Sequence, residues 1–474
     1  MPSLPDLREL SHAQKDELIG LLWAQLLKHE NRIGQLEASL KLSSRNSSKP
    51  PSSDGLAKPA PKSLREKGQR PVGGQKGHEG NTLRQSAQVD QIVTHQSAST
   101  CPACQSEWSA HEVIDRRQVF ELPVLRAQVT EHRLIRSSCR CGAVHEGRWP
   151  EGVNAPAQYG ERAKALVVHL NQYHLVPLER TCEMMHDVFN LPLSQASVLA
   201  FASQAAQALA PTVAAIGKAV QAAPVVHADE TGIRIEGKLH WLHCLVTASL
   251  TWLGHHAKRG HEAFDALGLL AGVRGTLVHD GLAGYRQLDC AHSLCNAHHL
   301  RELTFVQEHE PAFSGWAGEM KTLLVQANNE VAQAGGPLPP QRQAWFAAQW
   351  DRLLDCGEAL NPEHKPEGYA QGKRGRHAQG KAHNLLRRLR LHRLDVWRFM
   401  THKDVPFTNN LAEQALRMSK VRQKVSGCFR KQHGASMFFT IRSYLATMRK
   451  QRACLFECLV STFKGQPVQP RWAG

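Results

Sequence analysis

At Val225 the chain changes its hydrophobic period, and that change restricts the fold more than any other feature of the sequence. Up to Val220 the apolar residues recur at helical spacing. After it come three short β-prone runs in succession: VVHADETGIRI, LHWLHCLVTAS and LTWLGHHAK. A helix-like segment, HEAFDALGLLA, follows, and then two further apolar runs within GTLVHDG and HSLCNAH. Runs this short, rich in Val, Ile, Leu and Trp, read as strands with a buried face. Three strands, a helix and more strands predict a mixed α/β domain built on one sheet.

Three acids hold marked positions in that pattern. Asp229 lies inside the first run, Asp280 ends GTLVHDG, and Glu413 stands in PFTNNLAEQALR. On the predicted sheet Asp229 belongs to the first strand and Asp280 to the end of the fourth, its neighbour, which is the arrangement of an RNase H-like sheet. Two divalent ions ~3.5–4 Å apart can activate water or a 3′-hydroxyl on one side of a phosphate and stabilise the departing oxygen on the other. Carboxylate oxygens suit Mg²⁺, with Mn²⁺ as its substitute. The smallest ligand set is one bridging aspartate and two flanking acids. Asp229 is the bridging candidate, with Asp280 holding one ion and Glu413 the other. Each acid also has a plain reading: a strand-end residue for Asp229, an Asp-Gly turn for Asp280, and a capping box Asn410-Leu-Ala-Glu413. The three together in this order are more specific than any one. Glu230 should point to the opposite side of the strand, in a structural role.

The chain has 58 Lys plus Arg against 42 Asp plus Glu, a formal net charge of +16. Such an excess favours a polyanionic partner, because each neutralised phosphate releases counterions. No run of ~18 apolar residues suggests a membrane span, and MPSLPDLREL lacks the order of a signal peptide. The expected location is the cytoplasm, in association with the nucleoid. In a reducing compartment the 12 cysteines read as metal ligands or buried thiols.

The organisation that follows is multidomain, mixed α and α/β. Residues 1–45 form a helical segment: Ser11 and Gln14 make a capping-box pair, and Ile19, Leu22, Leu26, Ile33, Leu36 and Leu40 step at coiled-coil spacing to about Leu42. Self-association through that seam and packing on the same chain both satisfy it. Residues 46–95 are a basic linker rich in Ser, Pro, Gly and Lys, either a plain tether or a loose phosphate contact. Residues 96–152 carry Cys101 and Cys104 as C-x-x-C and Cys139 and Cys141 as C-x-C, with strand-like alternation between them. Facing cysteine pairs across a hairpin are the layout of a structural zinc ribbon, with His145 as a further candidate ligand. Residues 153–222 are helical, and Pro177–Phe189, NLPLS and QASVLAFASQAAQAL read as a helix-turn-helix-like unit or an ordinary hairpin. Residues 223–455 form the catalytic domain, with a helical insertion over about 300–400.

Within the insertion, Arg387, Arg388, Arg390 and Arg393 either track a phosphate backbone or form a solvated face. Cys290, His292, Cys295, His298 and His299 allow a second zinc site, but their strand-then-helix pattern favours core packing. After Glu413, Arg417, Lys420, Arg422, Lys424, Arg430 and Lys431 are the strongest phosphate-contact candidates. The tail, residues 456–474, is Pro-rich from Gly465 and expected to lack order.

VHADETGIRIEGKLHWLH, VHDGLAGY with DCAHSLCNAHHLREL, and PFTNNLAEQALRMSKVRQKVSGCFR resemble the catalytic blocks of the insertion sequence 66 family of transposases. NSSKPPSSDG, RPVGGQKGHEG and CPAC resemble its linker and zinc-ribbon region, so the likeness reaches from the N-terminal helix to about Arg452. The resemblance implies a DDE transposase whose acidic triad falls on Asp229, Asp280 and Glu413. It also implies metal-dependent cleavage at the terminal inverted repeats of an element and strand transfer to target DNA, in a homo-oligomer, with accessory proteins of the same element as further partners. A DNA-binding regulator with an inactive catalytic fold is the alternative.

Overall fold

A computed structural model describes residues 11–40, 83–95, 100–108, 112–268, 270–309, 314–363 and 379–472. The linker up to residue 82 and its lysines, and the basic stretch 364–378, lie outside them. Helix α1 runs His12–Leu40, starting where the Ser11 carbonyl accepts the Lys15 N–H at 3.0 Å. Ile19, Leu22, Trp23, Leu26 and Ile33 are all exposed along it.

The alternating segment before Cys139 yields little sheet. Only β1 (Arg136–Ser138) pairs, antiparallel, with β2 (Val144–Glu146). Residues 112–135 form no strand, and Val119, Val124 and Val129 are about nine-tenths exposed. Alternation produces a strand only where a second strand takes up its backbone groups.

The helical region is built as expected. Helix α2 (Glu161–Val168) continues into a π-turn at His169–Tyr173. Pro177 precedes α3 (Leu178–Phe189), and Ser194 Oγ accepts the Ser197 N–H at 3.1 Å to cap α4 (Gln195–Gln221). Helix α4 is deeply embedded: Val198, Ala202, Ala205 and Leu209 pack with Ile441, Tyr444, Leu445 and Met448. Its outer face near the start, Gln195, Leu199, Gln204 and Gln207, carries no charge. Among the described helices α4 alone is long and apolar enough to cross a membrane, by length and composition.

Strands β3 (Val225–Ile235), β4 (Lys238–Val246) and β5 (Thr251–His256) form an antiparallel meander. Glu236 and Gly237, both at positive φ (53° and 75°), make the two-residue turn between the first two. After α5 (His261–Leu267) come β6 (Thr276–His279) and β7 (Ala291–Leu294), and the sheet order is β5-β4-β3-β6-β7. Strand β6 lies parallel to β3, with Val225 beside Thr276 and His227 beside Val278. Extending that register sets Asp280 level with Asp229. Gly275 permits the approach, since a Cβ there would lie 2.4 Å from the Ala223 carbonyl oxygen.

The connection from β7 is the expected helical insertion: α6 (Asn296–His309), α7 (Gly315–Ala334), α8 (Pro340–Leu360), α9 (Lys381–Leu391) and α10 (Arg393–Thr401). It has its own core around Trp316, Phe346, Trp350 and Trp397, which continues to Leu294 of β7. Its arginines are mostly spent on holding it together. Arg388 pairs with Glu302 at 2.8 Å, Arg390 with Asp355 at 2.6 Å and Glu358 at 2.7 Å, and Arg393 with Asp351 at 3.0 Å. Only Arg387 of the four candidates is left as an exposed side chain without such a pair among those described.

Helices α11 (Asn410–Ser426) and α12 (Gln432–Lys450) cover the sheet face made by Ile233, Ile235, Leu242, Cys244 and Val246. On the other face Val226, Ala228, Leu245 and Leu277 meet Phe264, Tyr285 and the end of α4. After α13 (Leu455–Phe463) the tail is not loose, contrary to its composition. The Val468 carbonyl accepts from Tyr444 Oη at 2.9 Å, and the Arg471 N–H donates to Gln451 at 2.7 Å. These bonds to α12 and its end supply the order that a Pro-rich sequence lacks by itself.

Candidate active site

Asp229 stands on the central strand opposite Cys244 of β4, and Cys244 Sγ lies 3.7 Å from the Ala412 carbonyl in the first turn of α11. Asp229 therefore shares the sheet face that α11 covers. Burial raises its carboxyl pKa well above the ordinary range, and the charges of Glu230, Asp280 and Glu413 raise it further. The Glu230 N–H, donating to Asp229 Oδ1 at 2.8 Å, opposes this only in part. Asp229 thus feels the charge of both other acids named from the sequence, and the Arg286 guanidinium lies within electrostatic reach of Asp280.

Asp280 combines two roles. Its Oδ1 accepts the Leu282 N–H at 3.1 Å, and Gly281 turns at φ 94°. The Asp-Gly turn at the strand end is therefore real. The capping-box reading of Asn410 fails, because the residue before the helix is Asn409, whose side chain makes no cap. Asn409 is buried and looks into the sheet: Nδ2 donates to the Ala228 carbonyl at 2.8 Å, and Oδ1 meets His227 Nδ1 at 2.9 Å. It fixes the start of α11 beside Asp229, which brings Glu413 to the site in the first helical turn. Glu413 Oε1 is buried without a hydrogen-bond partner.

Glu230 points away, as alternation requires. Its Oε2 accepts from Tyr285 Oη at 2.5 Å, and its Oε1 accepts from Arg259 Nη2 at 2.6 Å. Arg259 in turn lies over the Trp241 ring at 4.6 Å. This network braces β3 from the opposite face. Asn409, Tyr285 and Arg259 were missed at the sequence level; the Asn pair before LAEQALR was the available signal for the first.

The five-residue Cys/His group divides. His279 Nε2 lies 3.1 Å from His292 Nδ1, and His299 Nδ1 lies 2.9 Å from Asn296 Oδ1, so these pack and bond in the core. Cys295 and His298 instead gather with Glu413, their donor atoms all within 4.8 Å of one another. Burial pushes the Cys295 thiol up to about 11, while for His298 burial and Arg301 lower the pKa against the raising charges of Asp280 and Glu413.

Among the phosphate-contact candidates, Arg417, Lys424, Arg430 and Lys431 are exposed. The other two turn inward: Lys420 Nζ donates to the Gly232 carbonyl, and Arg422 stacks on Phe429 at 3.8 Å. Phe429 itself is tied to β3 by its N–H to the Arg234 carbonyl at 3.0 Å.

Cys101, Cys104, Cys139 and Cys141 form two separate pairs. The Gln105 N–H donates to the Cys101 carbonyl at 2.8 Å to shape the first knuckle, and the Cys139 N–H donates to the Ala143 carbonyl at 2.8 Å to shape the second. Hydrogen bonding within each knuckle, from Ser106 first for Cys104 and from Cys141 first for Cys139, lowers those two thiols. Among the described residues the two pairs are not gathered into one cluster.

The fold is that of a mixed helix-and-sheet protein with Asp229 on the central strand, Asp280 at the end of its neighbour and Glu413 in the first turn of the covering helix. Residues 156–437 match the family model described as Transposase IS66 family, and the chain belongs to that family. Membership implies a transposase role, with DNA as the partner and a dependence on divalent metal ions. Residues 2–84 match a second model, described as Family of unknown function (DUF6444). No curated protein matches the chain.

Proposed function

We propose that this chain cleaves DNA at the ends of an insertion element and joins the freed 3′-hydroxyl to target DNA at a DDE site made by Asp229, Asp280 and Glu413. The observation that carries this reading is the placement of Asp280 level with Asp229 at the end of the adjacent parallel strand, with Glu413 in the first turn of the helix over that face and both acids raising the Asp229 carboxyl pKa. Carboxylates kept together at that cost fit divalent cations, and the unpartnered Glu413 Oε1 is a ready ligand atom. Asp229, Asp280 and Glu413 would be the residues that hold the cations. Bound there, the cations would supply nucleophile activation and leaving-group stabilisation. The sheet order, with a meander followed by two parallel strands, supports an RNase H-like assignment for the domain.

The protein's own groups do the positioning. Asn409 and the Glu230 network hold the acids from opposite sides of β3. Exposed Arg417, Lys424, Arg430 and Lys431 supply phosphate contacts along α11 and the loop after it. Cys101, Cys104, Cys139 and Cys141 are preformed halves of a structural zinc site, a reading supported by the lowered thiols of Cys104 and Cys139. The exposed stripe of α1 supports assembly into a homo-oligomer.

The test uses purified protein, Mg²⁺ or Mn²⁺, labelled element-end duplexes and plasmid target. Joined products with the wild type, and none with Asp229→Asn or Glu413→Gln, are expected. Unchanged end binding together with no joining by the wild type would favour the DNA-binding regulator instead.

A further inference from the structure

We propose that Cys295, His298 and Glu413 form a second cation site, of sulfur, nitrogen and oxygen ligands, that takes a zinc-class dication and thereby withdraws Glu413 from the oxygen-ligand site. The binding half stands on geometry alone. The withdrawal rests on the proposed function, in which Glu413 is the third acid.

The three ligands come from two places in the fold. Cys295 closes β7, and His298 sits three residues on in the first turn of α6, so a C-x-x-H spacing spans the junction. Glu413 approaches from the first turn of α11. All three donor atoms lie within 4.8 Å of one another, and this is the one such group among the described residues. Tetrahedral ligands bonded at ~2.0–2.3 Å to one ion lie roughly 3.3–3.8 Å apart, so side-chain shifts of about 1 Å or less would bring all three onto a single ion.

Two further observations point to a ligand. His298 Nδ1 and Glu413 Oε1 are both buried without hydrogen-bond partners, although neighbouring His299 and Asn296 satisfy each other. Buried polar atoms are ordinarily paired, so an orphan on each of two side chains of the same group needs an explanation. Cys295 Sγ, in contrast, already accepts the Asn409 N–H at 3.2 Å. That backbone donor opposes in part the burial that raises the thiol, and a bound dication would complete the stabilisation of the thiolate. His240, His243 and His255 also have unpartnered ring nitrogens, but no cysteine and carboxylate gather with them.

Ligand chemistry sets the selectivity. Thiolate and imidazole prefer Zn²⁺ or Co²⁺, whereas Mg²⁺ takes oxygen ligands. Three protein ligands leave a fourth tetrahedral position for water. A glutamate engaged here is unavailable to an ion shared with Asp229.

Co²⁺ titration of the metal-stripped full chain, followed by absorption, tests the site. Because the ribbon cysteines also bind Co²⁺ if they form a zinc site, the readout is the difference from Cys295→Ser. About one equivalent of tetrahedral Co²⁺ with its near-ultraviolet thiolate band should disappear in that variant. His298→Gln and Glu413→Gln should weaken the same component by at least about 10-fold, the lower end for losing even an outer-shell partner. Asp229→Asn should leave it intact. His298→Gln, at a less buried position, repeats the test if the serine variant does not fold. Identical spectra and stoichiometry for wild type and both variants would overturn the site. Added Zn²⁺ should also suppress Mg²⁺-supported joining in the wild type more than in Cys295→Ser; equal suppression would overturn the withdrawal of Glu413. A cobalt component without any metal-dependent joining leaves the site standing and sinks the proposed function. Joining without the cobalt component does the reverse.

Discussion

Asn409 Nδ2 donates to the carbonyl of Ala228 at 2.8 Å, joining the residue just before α11 to the residue preceding Asp229. One side chain therefore sets the distance between the strand acid and the helix acid, although the two are far apart in sequence. Asn409→Ala should cost about 1–3 kcal/mol of stability, the range for leaving a buried partner unsatisfied. Joining should fall further than that loss explains, while end binding is retained. Urea unfolding, gel-shift and joining assays on one preparation check this; a parallel fall in all three would reduce Asn409 to a core residue.

Asp229→Asn removes a carboxylate that its neighbours repel. Metal-free protein should become more thermostable, by about 1 kcal/mol or more, as joining is lost. In the wild type the folded-state pKa is raised, so the unfolded chain releases its proton first as pH rises. Stability from this group is thus lost from the ordinary carboxylate range upward, through the raised value. Mg²⁺ should restore it in the wild type and not in the variant, as scanning fluorimetry across pH would report.

Buried histidines set an opposite trend at lower pH. His243 is held at about 4 and His279 and His299 at about 3, in each case chiefly by burial. Below about 6.5 the unfolded chain binds protons that the folded chain refuses. Stability should therefore decline as pH falls from there toward 4, by up to ~1.4 kcal/mol per pH unit for each histidine. His279→Asn should flatten the slope in denaturant titrations at several pH values; an unaltered slope would assign the acid sensitivity elsewhere.

Trp397 is packed at 5.1 Å from Trp350 and 5.8 Å from Phe346, in a core continuous with β7. Trp397→Ala should cost roughly 3–5 kcal/mol. Hydrogen exchange should rise across α7 to α10, and joining should fall with it because β7 carries the strand end next to Cys295. Exchange confined to α10 would show that the insertion does not brace the site.

Tyr285→Phe deletes the 2.5 Å bond to Glu230 and leaves Arg259 as its partner. A loss of about 1–3 kcal/mol is expected, as for hydrogen bonds to charged groups. Joining should persist at a reduced rate, since the variant disturbs the face of β3 away from Asp229. Complete loss of joining in a folded variant would place Tyr285 in the chemistry itself.

Periodicity determined a large part of this protein by itself. The succession of strands along the chain and the helical insertion between β7 and α11 were legible because each rests on local spacing, whereas the pairing of β3 with β6 joins distant segments. The opposed directions of Asp229 and Glu230 followed from strand alternation alone. Tertiary structure decided what local pattern cannot carry. Residues 112–135 alternate but find no strand to pair with, whereas the Pro-rich tail is ordered by Tyr444 and Gln451. Arg388, Arg390 and Arg393 looked like a phosphate track until their acids arrived from α6 and α8, and Lys420 and Arg422 turned to the sheet and Phe429. Asn410 looked like part of a cap, while its neighbour Asn409 serves as a tie across the sheet. In each case the deciding partner is distant in sequence, and hydrogen bonds and ion pairs depend on which groups folding brings together.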